Sequence, residues 1–213
     1  MIIKGAIFDV DGTLLDSMSI WENVAADYLR SIGATPSLNL NEELKILGGI
    51  RTLEYLQAEY GLRESKEEIR AGINGLLEDF YFNAAQPKDG AVDVLNTLRG
   101  RGVKMCVATA TDKYLIEPAL KRCGILDYFG YVFTCGEERT SKSRPDIYLR
   151  AAEFLGTPVH ETPVFEDALY AVKSAKGAGF PVVGVYDIWA RGDEKDIRSL
   201  CDVYIESWAE FAL

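Results

Sequence analysis

The chain has 213 residues, of which 48% are hydrophobic and 26% charged, and its formal net charge is -10. That length and apolar content suffice for one sizeable core with a small accessory domain, and they exclude a disordered polyelectrolyte. An acidic balance without any Lys/Arg-rich run argues against nucleic acid or an anionic membrane as partner, and no apolar run approaches the ~20 residues of a membrane span.

The first segment, Ile2 to Phe8, reads as a short apolar strand that ends on two acids. Residues 16–86 look different. Trp21, Val24, Ala25, Tyr28, Leu29 and Ile32 fall on one helical face, and Gly33 stops the pattern. Ser65 followed by Glu68 is a capping-box signature ahead of a helix running to Phe80. No strand pattern interrupts this stretch, so it reads as a helical insert. Because it begins next to the acids, it reads as a lid.

From residue 87 onward, apolar runs at Val103–Ala108, Tyr131–Phe133, Pro163–Phe165, Pro181–Val185 and Asp202–Ile205 alternate with helical segments. The segment Asp89–Arg99 places Ala91, Val94, Leu95 and Leu98 on one face. Pro145 opens a helix ending near Gly156, and Ala168–Gly177 carries Ala171, Val172 and Ala175 together. Strands alternating with helices predict a parallel sheet with right-handed crossovers. Cys106, Cys123, Cys135 and Cys201 form no CxxC pair, and no signal-peptide pattern precedes the first strand. They read as reduced, packed thiols of a cytoplasmic protein.

Four places carry candidate chemistry. Asp9-Val10-Asp11-Gly12-Thr13 follows the first strand, where residues i and i+2 point the same way, so Asp9 and Asp11 can face one site. Gly12 lets the chain turn without a Cβ penalty. An Asp-Gly turn with solvated carboxylates is the plain alternative. A calcium loop is a weaker one, because Leu14 stands where it needs glycine. Thr109, with Ala110 and Thr111, sits between a strand end and a helix start, where amides and the helix dipole suit a phosphate; both threonines could equally be helix caps. Lys142 lies in a polar loop, where a lysine is ordinarily solvated but can neutralise carboxylates. Glu166-Asp167 ends an apolar strand with hard oxygen donors suited to Mg²⁺, or with acidic caps. His160 reads as a solvated loop residue.

Taken in order, Asp9-Val10-Asp11-Gly12-Thr13, Thr109, Lys142 and Glu166-Asp167 resemble the four motifs of the haloacid-dehalogenase superfamily, and the match covers nearly the whole chain. Leu14-Leu15-Asp16-Ser17, Arg144-Pro145-Asp146-Ile147-Tyr148 and the run Glu166–Gly179 are similar to the subfamily of phosphoglycolate phosphatase and β-phosphoglucomutase, which inserts a helical cap after the first motif. The resemblance implies an α/β fold with a Rossmann-like parallel core over 1–15 and 87–213 and an all-helical cap over 16–86. It implies Asp9 as nucleophile and Asp11 as acid and base. Mg²⁺ is expected on the Asp9 side chain, the Asp11 carbonyl and Asp167, with Glu166 in or just behind the ligand shell. Gly12, Thr109, Ala110, Thr111 and Lys142 are expected around the phosphoryl group.

Three positions depart from the family pattern. Ser143 stands where proline often follows the lysine, Ala171 replaces a frequent glycine, and Asp112 adds a negative charge beside the phosphate cradle.

A dehalogenase is disfavoured, since those enzymes lack an acid at the Asp11 position. Arg51, in Leu47-Gly48-Gly49-Ile50-Arg51, matches a cap arginine of β-phosphoglucomutase. Trp21, however, replaces the mutase's cap histidine, Leu77 falls near its cap lysine, and Thr13 stands where it usually has valine. The expectation is therefore a Mg²⁺-dependent phosphatase for a small phosphorylated metabolite, acting as a monomer or weak homodimer, with Trp21 and Arg51 as specificity residues. A mutase is the alternative, and a non-catalytic phosphometabolite sensor is a third reading.

Overall fold

A computed structural model describes residues 2–47 and 50–211. The chain forms two compact units, Met1–Ser17 with Ala85–Leu213, and Met18–Ala84. The larger is built on a six-stranded parallel sheet of order β3-β2-β1-β4-β5-β6. Its strands are β1 (Gly5–Phe8), β2 (Lys104–Thr109), β3 (Val132–Thr134), β4 (Val164–Glu166), β5 (Val182–Val185) and β6 (Val203–Ile205). β1 and β4 are adjacent, in the register Ile7↔Val164 and Phe8↔Phe165, although 155 residues lie between Phe8 at the end of one and Val164 at the start of the other. The strand order reverses at that pair, which is where a doubly wound sheet opens a crevice beyond its carboxyl ends. β1, β4 and β5 are buried along their whole length, so they carry continuous apolar runs rather than alternation.

The helices of this unit are α5 (Ala91–Gly100), α6 (Lys113–Arg122), the single turn α7 (Cys135–Glu138), α8 (Asp146–Leu155), α9 (Leu169–Gly177) and α10 (Glu194–Leu200). The predicted apolar faces of α5 and α9 are buried as expected. Pro145 caps α8 rather than opening it, and Gly156 stops α8 with a left-handed φ of 64°. The aromatic spine of the core stacks Phe8 on Phe165 at 4.5 Å and Phe165 on Trp208 at 5.5 Å. Sheet pairing begins at Gly5, so residues 2–4 of the expected first strand lie outside it.

The smaller unit holds α1 (Met18–Ser31), α2 (Leu40–Ile46), α3 (Ile50–Glu59), α4 (Lys66–Asp79) and a π-helical turn at Phe80–Ala84. The Ser65–Glu68 capping box is present in both directions. Tyr28, Leu29, Leu53, Leu56 and Ile69 form its core. The expected apolar face of α1 is shorter than read: Trp21 and Ile32 are each 39% exposed, because Ile32 falls beyond the last helical turn and Trp21 faces a cavity. Among the described residues, no helix is long and apolar enough to cross a membrane.

Candidate active site

β1 delivers Asp9 to the carboxyl edge of the sheet, and its amide donates to the Phe165 carbonyl at 3.0 Å, which ties it to β4. The chain then turns tightly on the Val10 carbonyl, which accepts from the amides of Leu14 and Leu15 at 2.9 and 2.8 Å. Gly12 has a φ of 80°, so a side chain there would strain the turn. Its amide donates to the Leu15 carbonyl at 3.0 Å. Gly12 thus provides the turn that follows Asp11.

Lys142, in the loop between α7 and α8, is buried. Its ammonium donates to Oδ1 of Asp9 and, at 2.6 Å, to Oε1 of Glu166. Glu166 Oε1 also accepts the Tyr148 hydroxyl at 3.0 Å, and Oε2 accepts the amides of Asp167 and Ala168 at 3.1 and 3.2 Å. Asp167 Oδ1 accepts the Thr13 hydroxyl at 3.0 Å. One carboxylate oxygen from each of Asp9, Glu166 and Asp167 lies within 4.8 Å of the others.

Three buried carboxylates are therefore grouped around one ammonium that bonds two of them, Asp9 and Glu166. Burial raises the Asp9 carboxyl well above the usual range; Lys142 opposes this, while Glu166, Asp167 and Asp11 add to it. Burial and then Glu166 push Asp167 up to about 7, against the pull of Lys142 and the Thr13 hydroxyl. Burial alone would discharge Lys142, but Asp9 and Glu166 together outweigh it and hold the ammonium charged. Excess negative charge on hard oxygen donors fits a divalent cation.

Asp11 is half-buried, and its carboxylate is held by two hydroxyls. Oδ1 accepts the Ser17 hydroxyl at 2.6 Å and Oδ2 the Thr111 hydroxyl at 2.7 Å. Thr109 ends β2 with its hydroxyl accepting the Thr111 amide at 3.1 Å. The Thr109 hydroxyl keeps its own proton to donate. Ala110 is exposed. Asp112 takes the N-cap position of α6 without a side-chain cap bond, and its charge meets the positive end of the helix.

Trp21 and Arg51 belong to the smaller unit and are not part of the carboxylate cluster. Trp21 donates its indole N–H to the Tyr81 hydroxyl at 2.8 Å, and Arg51 is exposed near the start of α3. Gly48 and Gly49 before it lie outside the described residues. His160 is exposed in a short turn.

Sequence reasoning did not single out Thr13, Ser17 or Tyr148 as site residues. Thr13 and Ser17 lie in stretches already noted. Tyr148 is indistinguishable in sequence from the buried face it shares with Ile147, Ala151 and Ala152.

Fold and site together define a Rossmann-like α/β enzyme with an acidic cluster at its topological switch point. Residues 3–179 match the model of the haloacid dehalogenase-like hydrolases. The chain belongs to that family. It is 29% identical over 187 residues to the fructose-1-phosphate phosphatase YqaB of Escherichia coli, covering 85% of this chain and 95% of that protein. It is 26% identical over 195 residues to the chloroplastic protein SUPPRESSOR OF QUENCHING 1 of Arabidopsis thaliana, covering 86% of this chain but 18% of that much longer protein. Its fold is similar to CbbY from Rhodobacter sphaeroides, crystallised with phosphate, at a TM-score of 0.77 and 21% identity, covering 98% and 96% of the two chains. The family match accords with the hydrolase expected from the sequence.

Proposed function

We propose that this protein is a phosphatase that hydrolyses a small phosphorylated sugar through an aspartyl-phosphate on Asp9. The observation that carries the reading is the Asp9–Lys142–Glu166 bridge beside Asp167. It supports the reading because the reaction needs a carboxylate nucleophile, a fixed cation and a further acid together at one sheet edge. The E. coli relative's activity on fructose 1-phosphate supports the sugar class.

In this reading Asp9 Oδ attacks phosphorus in line as the P–O bond to the sugar breaks, and Asp11 gives its proton to the departing oxygen. Asp11 then takes a proton from water, which attacks the same phosphorus and releases phosphate from Asp9. The hydroxyls of Ser17 and Thr111 keep Asp11 oriented for both transfers. Thr109 and Lys142 neutralise and hold the phosphoryl oxygens.

The Asp9 and Asp167 side chains and the Asp11 carbonyl would hold Mg²⁺, with Glu166 against or just behind it. Bound there, the ion screens the repulsion between carboxylate and phosphate. Water is the favoured acceptor over a second sugar. Trp21 offers an indole where a mutase would place an imidazole, and that indole is already bonded to Tyr81. With four free cysteines, we place the enzyme in the cytoplasm, as a monomer or weak homodimer.

Replacing Asp9→Asn is expected to abolish Mg²⁺-dependent release of phosphate from an aryl phosphate while the protein stays folded. Full turnover in that variant overturns the nucleophile assignment.

A further inference from the structure

Lys88 and Asp187 form a partly buried ion pair in the larger unit, and the charge of Asp187 bears on the carboxylate cluster. Lys88 Nζ donates to Asp187 Oδ2 at 2.8 Å and to the Tyr186 carbonyl at 2.8 Å. Asp187, only 4% exposed, is fixed on its other oxygen by the Trp189 amide at 2.9 Å. Its place in the fold matters. β5 pairs with β4 in the register Glu166↔Gly184, so Asp187 emerges at the same sheet edge as Asp167, one strand over. Its charge is among those that press on Asp167.

The pair also reaches the first motif. The Lys88 amide donates to the Leu14 carbonyl at 2.8 Å, Pro87 bridges Leu15, and the Asp16 amide donates to the Gln86 carbonyl at 2.9 Å. One lysine thus ties the segment after Asp9–Thr13 to the end of β5. Among the described residues, Lys88 is also the sole cation lining a cavity of about 430 Å³, against the acids Asp16, Asp89, Asp187 and Glu206.

We propose that Lys88 is a positioning residue for the metal-binding carboxylates, acting through Asp187. It keeps this additional buried carboxylate paired and turned aside at the end of β5, so that the cluster binds its cation with the charge of Asp9, Glu166 and Asp167 alone. The inference rests on the reading of that cluster as a divalent-cation site.

The two members of the pair should then act in opposite directions. Lys88→Met removes a positive charge and releases Asp187, so the cluster becomes more anionic and binds the cation tighter. Asp187→Asn removes a negative charge while keeping an oxygen for the Trp189 amide, and weakens binding. Titration calorimetry of the full-length, metal-free protein with MgCl₂ reads both effects. We expect shifts of about fivefold each way, from one charge acting through partly screened protein. The double variant should return to within about twofold of the parent, and Lys88→Arg should keep parent affinity.

A scaffolding role alone would move both single variants the same way or neither, and either result overturns the proposal. If Lys88→Met does not fold, Asp187→Asn decides by itself: unchanged or tighter binding refutes it. If the parent binds no Mg²⁺ at all, the site reading falls first and takes this inference with it. Binding by the parent with unshifted variants refutes the inference alone.

Discussion

The Thr13 hydroxyl donates to Oδ1 of Asp167 at 3.0 Å, joining residues 154 positions apart. It fastens the turn after β1 to the acid that follows β4, and both groups are buried. Thr13→Val keeps the shape but leaves that carboxylate oxygen without its donor. An unsatisfied buried acceptor costs about 1–3 kcal/mol, and the lost hydrogen bond no longer favours the charged form of Asp167. Chemical denaturation should show that loss, and the KM for Mg²⁺ should rise. Thr13→Ser should restore both, because it returns the hydroxyl. An unaltered metal requirement in Thr13→Val would show that the bond has no bearing on the cluster.

Lys142 holds two anions at once, and no other cation is hydrogen-bonded to Asp9 or Glu166 among the described residues. Lys142→Met leaves both carboxylates buried with their partner gone. Breaking a buried pair from one side costs about 3–5 kcal/mol, far more than losing an exposed bridge such as Arg144–Asp146, which is worth about 0–1 kcal/mol. We expect a large drop in denaturation midpoint together with loss of turnover, and almost no change in either on Arg144→Met. Comparable stability of the two variants would mean that Lys142 is dispensable to the fold.

The acid cluster makes the metal-free protein sensitive to pH. Asp167 titrates at about 7 when folded, against an ordinary 3.8, and Asp9 is raised in the same direction. Between those values the folded protein holds protons that the unfolded chain has released, so its stability falls as pH rises. The contribution is complete below about pH 4 and is lost once pH passes about 7. Carboxyls with lowered values, Asp202, Glu54 and Glu68, lose their contribution only at more acidic pH and do not offset it between pH 5 and pH 8. The apparent Tm in EDTA should therefore drop by about 5 °C or more between pH 5 and pH 8, given how a few kcal/mol maps onto Tm at this size. Saturating Mg²⁺ should flatten that slope, because it binds the deprotonated cluster. A metal-free Tm that climbs over this interval contradicts the account.

Much of this arrangement was written in local pattern. The runs that became β1, β2, β4 and β5 are mostly apolar because nearly every position is buried, and their alternation with helices dictated a parallel sheet. The acids at the ends of β1 and β4 were legible because strand ends interrupt such runs. Lys142 was not legible on its own terms. A lysine in a polar loop carries no periodic signal, and only the fold brings it to residues 133 and 24 positions away. Resemblance to a family supplied what periodicity could not. Tyr148 and the Lys88–Asp187 pair were missed for the same reason: one looked like core, the other like a charged loop, and each finds its partner through the sheet register. The internal hydrogen bonds of the Gly12 and Thr111 amides were likewise not legible, since a motif gives residue types and not the partners of their backbone.

Trp208, near the end of the described chain, supports the motif from below. It is 2% exposed, stacks on Phe165 at 5.5 Å and donates its indole N–H to the Thr13 carbonyl at 3.1 Å. Trp208→Phe keeps most of the apolar contact and removes only the hydrogen bond, whereas Trp208→Ala removes both. The first should cost about 1 kcal/mol and the second about 3–5 kcal/mol, measured by equilibrium unfolding in urea. The functional consequence separates the two roles. If the indole does no more than fill the core, turnover of the folded fraction is the same in both variants. If it also steadies the Thr13 turn, Trp208→Phe already raises the Mg²⁺ requirement, and combining it with Thr13→Val adds less than the sum of the two, because both changes loosen the same turn.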